Sequence, residues 1–381
     1  MKTLIAATLT LIAVVARSTA GFETDMQAPV APQLLSETGL YTGEGTAAID
    51  PRNRLFSPQY PLWSDGAAKR RWIRLPEETA IDVTNVSRWD FPVGTKFWKE
   101  FSFDGRKVET RLLWRVSQER WVFASYAWNE AQTDAVLAPE SGIPNIVEVA
   151  PGKRHSIPSV ADCQSCHVST GTEILGFDAL QLSDDRDPNA LHAEALAPGM
   201  VTLKTLVDEG LMSPRRTELV LSPPRIPADS PVTRTALGYL STNCGSCHNR
   251  ESSIASLGLI LKYTLADSSP ASAREASYGE VSPERPEGRE GGCTPALATT
   301  AGKRGHWVVP EFQEQSRIIN PGHPDSSALI KRLKSRRPSS QMPPVGTVVA
   351  DRAAVDLLTS WVQSNQDAWT AMVARCAGEG S

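Results

Sequence analysis

Two copies of one five-residue motif constrain this chain more than any other feature: Cys163-Gln164-Ser165-Cys166-His167 and Cys244-Gly245-Ser246-Cys247-His248. Each reads C-x-x-C-H, the attachment signature of a c-type haem. Two thiols three positions apart can each form a thioether with a haem vinyl group, and the adjacent His can then reach the iron. A redox disulfide and a zinc ribbon are the rival readings of paired Cys. A ribbon sets its pairs within about 20 residues of each other, whereas Cys166 and Cys244 are much farther apart. Neither rival explains a His directly after both pairs. The motifs predict two covalent haems, held by Cys163, Cys166, Cys244 and Cys247, with His167 and His248 as axial ligands of the iron.

Covalent tethering suits an exported protein, and the N-terminus agrees with export. Lys2 gives a positive start, Leu4 to Val15 form a short apolar run, and Ser18-Thr19-Ala20 offers a small-residue cleavage site. Residues 1–20 are therefore expected to be a signal peptide, and the mature chain to be periplasmic. The run falls short of the about 20 apolar residues of a membrane span. No other stretch qualifies, so no transmembrane segment is expected in the mature chain; an uncleaved N-terminal anchor is the alternative. No Cys sits at the cleavage point, which argues against a lipid-anchored start. The chain has 39 basic and 43 acidic residues, a net charge of −4 that grows more negative once Lys2 and Arg17 are removed. This balance does not suggest nucleic-acid binding, and favours partners with basic docking patches. Cys293 and Cys376 are left over from the motifs, and in an oxidising compartment two such thiols commonly pair.

A chain of 381 residues suggests two or three domains. Residues 21–50, rich in Pro, Gly, Thr and Ala, read as an extended arm. Residues 51–150 hold Trp63, Trp72, Trp89, Trp98, Trp114, Trp121 and Trp128 and several strand-like runs: Arg70 to Leu75, Thr95 to Phe103, Glu109 to Val116 and Trp121 to Trp128. Thr110, Leu112, Trp114 and Val116 alternate with more polar neighbours, as in a half-buried strand. Asp104-Gly105 is a hairpin signal between two of the runs. Short strands at this spacing suggest a sandwich- or barrel-like module. Its Trp residues suit either saccharide binding or a small aromatic core; core packing is the favoured reading. Residues 151–230 form a first haem-binding region, with a helical stripe at Leu203, Leu206, Val207 and Leu211.

Residues 231–381 form the last unit. A helix is expected over Thr233 to Asn243, another over Ser326 to Leu333 behind Asp325, and a third over Asp351 to Val362, capped by Asp351. A Ser-, Pro-, Glu- and Gly-rich tract at about 267–292 reads as an insertion. The expected fold is therefore α+β and multidomain: a β-rich, sandwich-like N-terminal domain followed by two haem-binding segments.

Each iron has a second axial position. Gln341-Met342-Pro343-Pro344 places the Met342 thioether on a stiff loop, a suitable ligand for the second haem. For the first, His155, His192, Met200 and Met212 are the candidates, and His192 and Met200 are preferred: His192 follows a polar loop from which it could reach back, and Met200 follows Pro198-Gly199. An open position is the third option. Asp185, Asp187 and Asn189 suggest the start of a calcium loop, but Ala190 stands where Gly is needed and no Glu follows at the twelfth position. No hydrolase, zinc-protease or phosphate-cradling motif is present.

With its helix, C-x-x-C-H, Met loop and C-terminal helix, the stretch 231–366 resembles class I cytochrome c. More broadly, Pro61-Leu62-Trp63-Ser64-Asp65-Gly66, Phe91-Pro92-Val93-Gly94-Thr95, Glu109-Thr110-Arg111-Leu112-Leu113 and Ile157-Pro158-Ser159 resemble a family of exported bacterial di-haem c-type cytochromes, over about residues 50–366. The resemblance implies two haems, an integral β segment and an α-helical C-terminal haem domain. It leaves the function open. Single-electron transfer between a dehydrogenase and another cytochrome or an oxidase is the leading expectation. The alternatives are a di-haem peroxidase or oxidase working at the first haem, and a redox protein whose β domain binds saccharide.

Overall fold

The computed structural model describes residues 30–43, 45–168, 174–265, 293–364 and 366–378. The expected signal peptide and the 267–292 insertion lie outside the described residues. The strands are β1 (Tyr41–Thr42), β2 (Ala48–Ile49), β3 (Arg54–Phe56), β4 (Ala68–Arg74), β5 (Ile81–Asp82), β6 (Lys96–Phe103), β7 (Arg106–Arg115), β8 (Trp121–Trp128), β9 (Ala135–Leu137), β10 (Ile143–Ala150), β11 (Lys153–Ile157) and β12 (Met212–Ser213). Six of them form one antiparallel sheet in the order β3-β4-β6-β7-β8-β9. The β6–β7 hairpin turns at Asp104-Gly105, where both residues have positive φ (49° and 78°), as a tight turn matched to strand twist requires.

Strand alternation gives this sheet two unlike faces. Trp72 pairs with Trp98, which pairs in turn with Leu112. These three are buried with Tyr126, Leu35 and Leu40 in one core. The opposite face carries Ile73, Phe97 and Leu113, and packs with Phe177, Val201 and Leu206 in a second core. Of the seven Trp in the β region, Trp72, Trp89, Trp98 and Trp128 are buried and none is exposed. The aromatics fill cores, as the favoured reading held.

Two expectations are corrected. Residues 31–50 are not an extended arm: a 3-10 turn at Leu35–Thr38 and the β1–β2 pair seat Leu35 and Leu40, both 0 % exposed, against the Trp face. The sandwich is one six-stranded sheet with three two-stranded sheets. Its second face is covered by the largely irregular stretch 174–213, which carries too few alternating residues to build a partner sheet.

The helices are α1 (Val160–His167), α2 (Leu203–Asp208), α3 (Glu218–Leu221), α4 (Pro231–Asn243), α5 (Pro295–Thr300), α6 (Ala328–Lys334), α7 (Arg352–Gln363) and α8 (Gln366–Gly378). Ser230 caps α4, with Pro231 in its first turn, and Asp351 caps α7 as expected. Asp325 caps no helix; it lies in a 3-10 turn, and α6 starts after Ser327. Helices α4 and α7 pack together: Leu237 and Leu240 share a core with Leu358, Trp361 and Val362, and the Trp361 indole donates to Thr233 Oγ1 at 3.2 Å. A disulfide between Cys293 and Cys376 ties the segment before α5 to α8, with 5.1 Å between the Cα atoms. The described residues from Ala31 onward form one compact unit, and packing crosses the expected boundaries at 150 and 230. β5 pairs with β12 in parallel, and Tyr60, from the start of the β segment, lies in the α4–α7 core. No described helix is long and apolar enough to cross a membrane.

Candidate functional site

The first motif lies on α1. Ser159 caps this helix: its Oγ accepts from the Asp162 backbone at 3.0 Å, while its own backbone donates to the Asp162 carboxylate at 3.0 Å. On a helix, positions three and four apart share a face, so Cys163, Cys166 and His167 lie together. Helix α1 packs on β8, and the His167 ring meets Phe123 with centroids 5.5 Å apart.

The second motif follows α4 without a break, with Cys244 as the helix cap. Gly245 is needed there: a Cβ would come within 2.2 Å of the Ser241 carbonyl and 2.7 Å of the Lys262 Cα. Cys244 is partly buried, and that burial pushes its thiol up to about 12. His248 is 9 % exposed, and its Nδ1 has no hydrogen-bond partner. Burial, with help from the Arg332 charge, lowers its pKa and keeps the imidazole neutral, the form that binds a metal. The Met342 amide donates to the Arg332 carbonyl at 3.0 Å, so one residue of α6 borders both His248 and the Met342 loop.

The two motifs, distant in sequence, meet in space. The Cys166 and Cys247 thiols lie against each other, and their interaction lowers Cys247 while it raises Cys166. Among the described residues no group of three or more His, Cys, Asp or Glu is placed to hold a metal ion. The thiols therefore do not gather into the four-Cys cage of the zinc alternative.

A cleft of about 1370 Å³, counting its open mouth, runs from His167 across the sheet. One wall is aromatic, from Phe56, Trp89, Phe97 and Phe177. Its floor is unusual. Arg71 on β4 pairs with Lys99 on β6, and Lys99 with Arg111 on β7, so three cations stand directly opposite one another on one face. Like charges in that position repel. Arg111 is matched by Glu109, with a contact of 2.5 Å, and Arg71 donates to Glu194 at 2.8 Å. Lys99 has no hydrogen bond or ion pair among the described residues; its ammonium lies over the Phe101 ring. Burial, then the charges of Arg71, Lys69 and Arg111, hold Lys99 well below the ordinary lysine range. Lys69, one step along β4, is lowered to about 8, first by burial and then by Arg71. These residues were not singled out in the sequence. The available signal was basic residues at the inward phase of otherwise apolar strands: Lys69 and Arg71, Lys99, Arg111.

Neither expected sixth ligand of the first haem borders this cleft. His192 lies against Trp63 with ring centroids 4.8 Å apart, and its Nε2 is 2.8 Å from the Asp351 carboxylate. It therefore braces the cap of α7. Met200 lies in a turn, its sulfur accepting from the Ala197 amide at 3.3 Å. Met212 is buried in the core beneath the sheet. Both nitrogens of His155 are occupied by carboxylates, Asp65 at 2.9 Å and Glu109 at 3.3 Å.

His155 is thereby the centre of a buried relay. Asp65 also accepts from the Val348 and Val349 amides, at 2.7 and 3.1 Å, just beyond the Met342 loop. Glu109 holds Arg111, whose charge is felt at Cys163 and Cys166. The chain Val348–Asp65–His155–Glu109–Arg111 thus runs from beside one motif's loop to the other motif. The cleft joins an aromatic wall to a cationic floor and opens beside His167 of α1. Comparison with known proteins finds no matching family model, curated protein or solved structure.

Proposed function

We propose that the chain is an exported di-haem c-type cytochrome that passes single electrons between redox partners. The observation that carries this reading is the meeting of two complete C-x-x-C-H motifs at the Cys166 and Cys247 thiols. Groups tethered there lie close to each other, as internal electron transfer needs. Cys163 and Cys166 would attach the first haem with His167 as axial ligand; Cys244 and Cys247 would attach the second, with His248 and Met342. Three features support the second assignment: the neutral, unpartnered His248, the shared border at Arg332, and the α4–α7 packing of a class I cytochrome c-like domain. A bound haem supplies a one-electron couple, and a Met/His pair tends to set a higher potential than two His. The protein's own residues exclude water and fix the ligands, and unequal surroundings give transfer a direction. Donor and acceptor would be a dehydrogenase and a further cytochrome or oxidase.

The test is haem stoichiometry. After denaturation and acid–acetone extraction, mass and pyridine spectra should show two haems retained per chain. Haem extracted from either motif, or zinc in its place, overturns the reading.

A second reading is favoured by one observation: neither His192 nor Met200 lines the cleft beside His167. An open position on the first iron would suit a peroxidase or oxidase. Low-spin iron at both haems supports the carrier; a high-spin component that responds to peroxide supports the enzyme.

A further inference from the structure

The row Arg71–Lys99–Arg111 needs an explanation that the sheet itself does not provide. Three cations directly opposite on adjacent strands destabilise a sheet, and the burial of Arg71 beside the half-buried Lys99 and Arg111 raises the cost. Two carboxylates from the chain answer part of the charge: Glu109 is turned toward Arg111, and Glu194 toward one edge of Arg71. Arg71 is 5 % exposed, and its Nη2 still has no partner. Lys99 faces the cleft with only an aromatic ring against it.

Position along the row matters as much as charge. Helix α1 rests on β8, and β7, β6 and β4 follow at about 4.8 Å per strand. Arg111 is therefore the cation nearest the tether, with Lys99 about 10 Å and Arg71 about 14 Å across the sheet from β8. A group held by thioethers at α1 would lay its apolar body along Phe97 and Phe177. Its far edge would come over Lys99 and Arg71. In a haem, the edge remote from the vinyl groups carries the two propionates.

We propose that Lys99 and Arg71 form a carboxylate-binding site that takes the propionate edge of the first haem. The inference rests on the haem reading. Arg111, already bonded to Glu109, belongs to the relay instead. The guanidinium of Arg71 offers paired donors to a carboxylate, and the Lys99 ammonium a compact charge. Once a propionate is seated, Lys99 regains the partner that burial and its neighbours deny it.

The experiment is redox titration of the two-haem protein against pH, with Lys99→Met as the principal variant. In the wild type the propionates stay ionised and paired, so the first haem's potential should be flat from about pH 5 to about pH 8. In Lys99→Met an unpaired propionate in an apolar cleft holds its proton at low pH and releases it as pH rises. The negative charge then stabilises oxidised iron. The first potential should stay near wild type at about pH 5. By about pH 8 it should fall by at least a tenfold change in the reduced-to-oxidised ratio, about 59 mV for one electron. The second haem should not move, and Lys99→Arg should restore the flat profile. A uniform fall at all pH values, or no change, overturns the site and leaves the two-haem reading standing. If mass shows no haem on Cys163 and Cys166, both fall together. Added succinate should leave the wild-type spectrum unchanged; a saturable change would mean the row takes a free dicarboxylate, and the propionate assignment fails. If Lys99→Met does not fold, the wild type decides alone: propionate bending modes in its resonance Raman spectrum must not shift over the same pH range.

Discussion

His155 is held between two carboxylates in the interior: Asp65, His155 and Glu109 are 5 %, 3 % and 0 % exposed. Burial alone would lower the His155 pKa, but its hydrogen bonds to Asp65 and Glu109 outweigh that and raise it. Glu109 is lowered against its own burial, first by the charge of Arg111. A raised His pKa stabilises the fold fully below the unfolded value of about 6.5, and that contribution disappears as pH rises through the folded value. The stability gap between wild type and His155→Gln should therefore be widest in mild acid and shrink as pH climbs. Urea unfolding at a series of pH values reads this, and a gap that widens with pH contradicts it. His155→Ala leaves two buried carboxylates facing each other and should cost about 3–5 kcal/mol. On the proposed di-haem reading, Met342→Ala should abolish a sulfur-to-iron charge-transfer band and lower the second haem's potential, since a Met ligand favours reduced iron. An unchanged band would leave Met342 as packing only.

Among the elements, α4 shows how closely the β segment and the second motif are fitted together. A Cβ on Gly238 would fall 2.1 Å from Cε1 of Tyr60, a ring 2 % exposed. Gly238→Ala should therefore destabilise the protein by about 1–3 kcal/mol through overpacking, measurable as a lower urea midpoint with unchanged slope. The elements most legible in the sequence were those with a strong period. β7 declared itself by alternation, β6 and β8 as strand-like runs on either side of it with Asp104-Gly105 at the hairpin, and α7 by its cap at Asp351. The segments 31–50 and 174–201 were not legible, because they bury side chains with little regular structure and only the finished sheet gives them a surface; the stripe at Leu203, Leu206 and Val207 was legible, and those side chains are buried on α2. The same limit hid the cationic row. Each of Arg71, Lys99 and Arg111 is an ordinary basic residue until strand register sets the three side by side. The two C-x-x-C-H motifs can be seen in the sequence because their spacing is local, whereas which residue would face His167 across a bound group depends on which distant loops fold over it.

Over the whole molecule, the chain is drawn together by links that span long stretches of sequence. The Cys293–Cys376 disulfide closes a loop across a separation of 83 residues. In the chain-entropy view such a closure stabilises by about 4–5 kcal/mol at most. The double variant Cys293→Ser with Cys376→Ser should lose up to that amount in chemical denaturation, yet keep the two haems proposed above, since neither thiol belongs to a motif. Loss of haem in this variant would mean that the disulfide guides assembly as well as stability.

The two-faced sheet sets a rule for how the gene can change length. Side chains alternate along β4 and along the stretches Lys96–Phe101 of β6 and Glu109–Arg115 of β7, on the sheet side of the register shift after Phe101, so one codon gained or lost inside these stretches turns the rest of the strand over. Trp98 would then face the cleft and Lys99 would be driven into the aromatic core, ruining both surfaces in a single event. Two codons restore the phase. Viable insertions within these strands should therefore come in pairs, and single-codon changes should survive only at turns such as Asp104-Gly105.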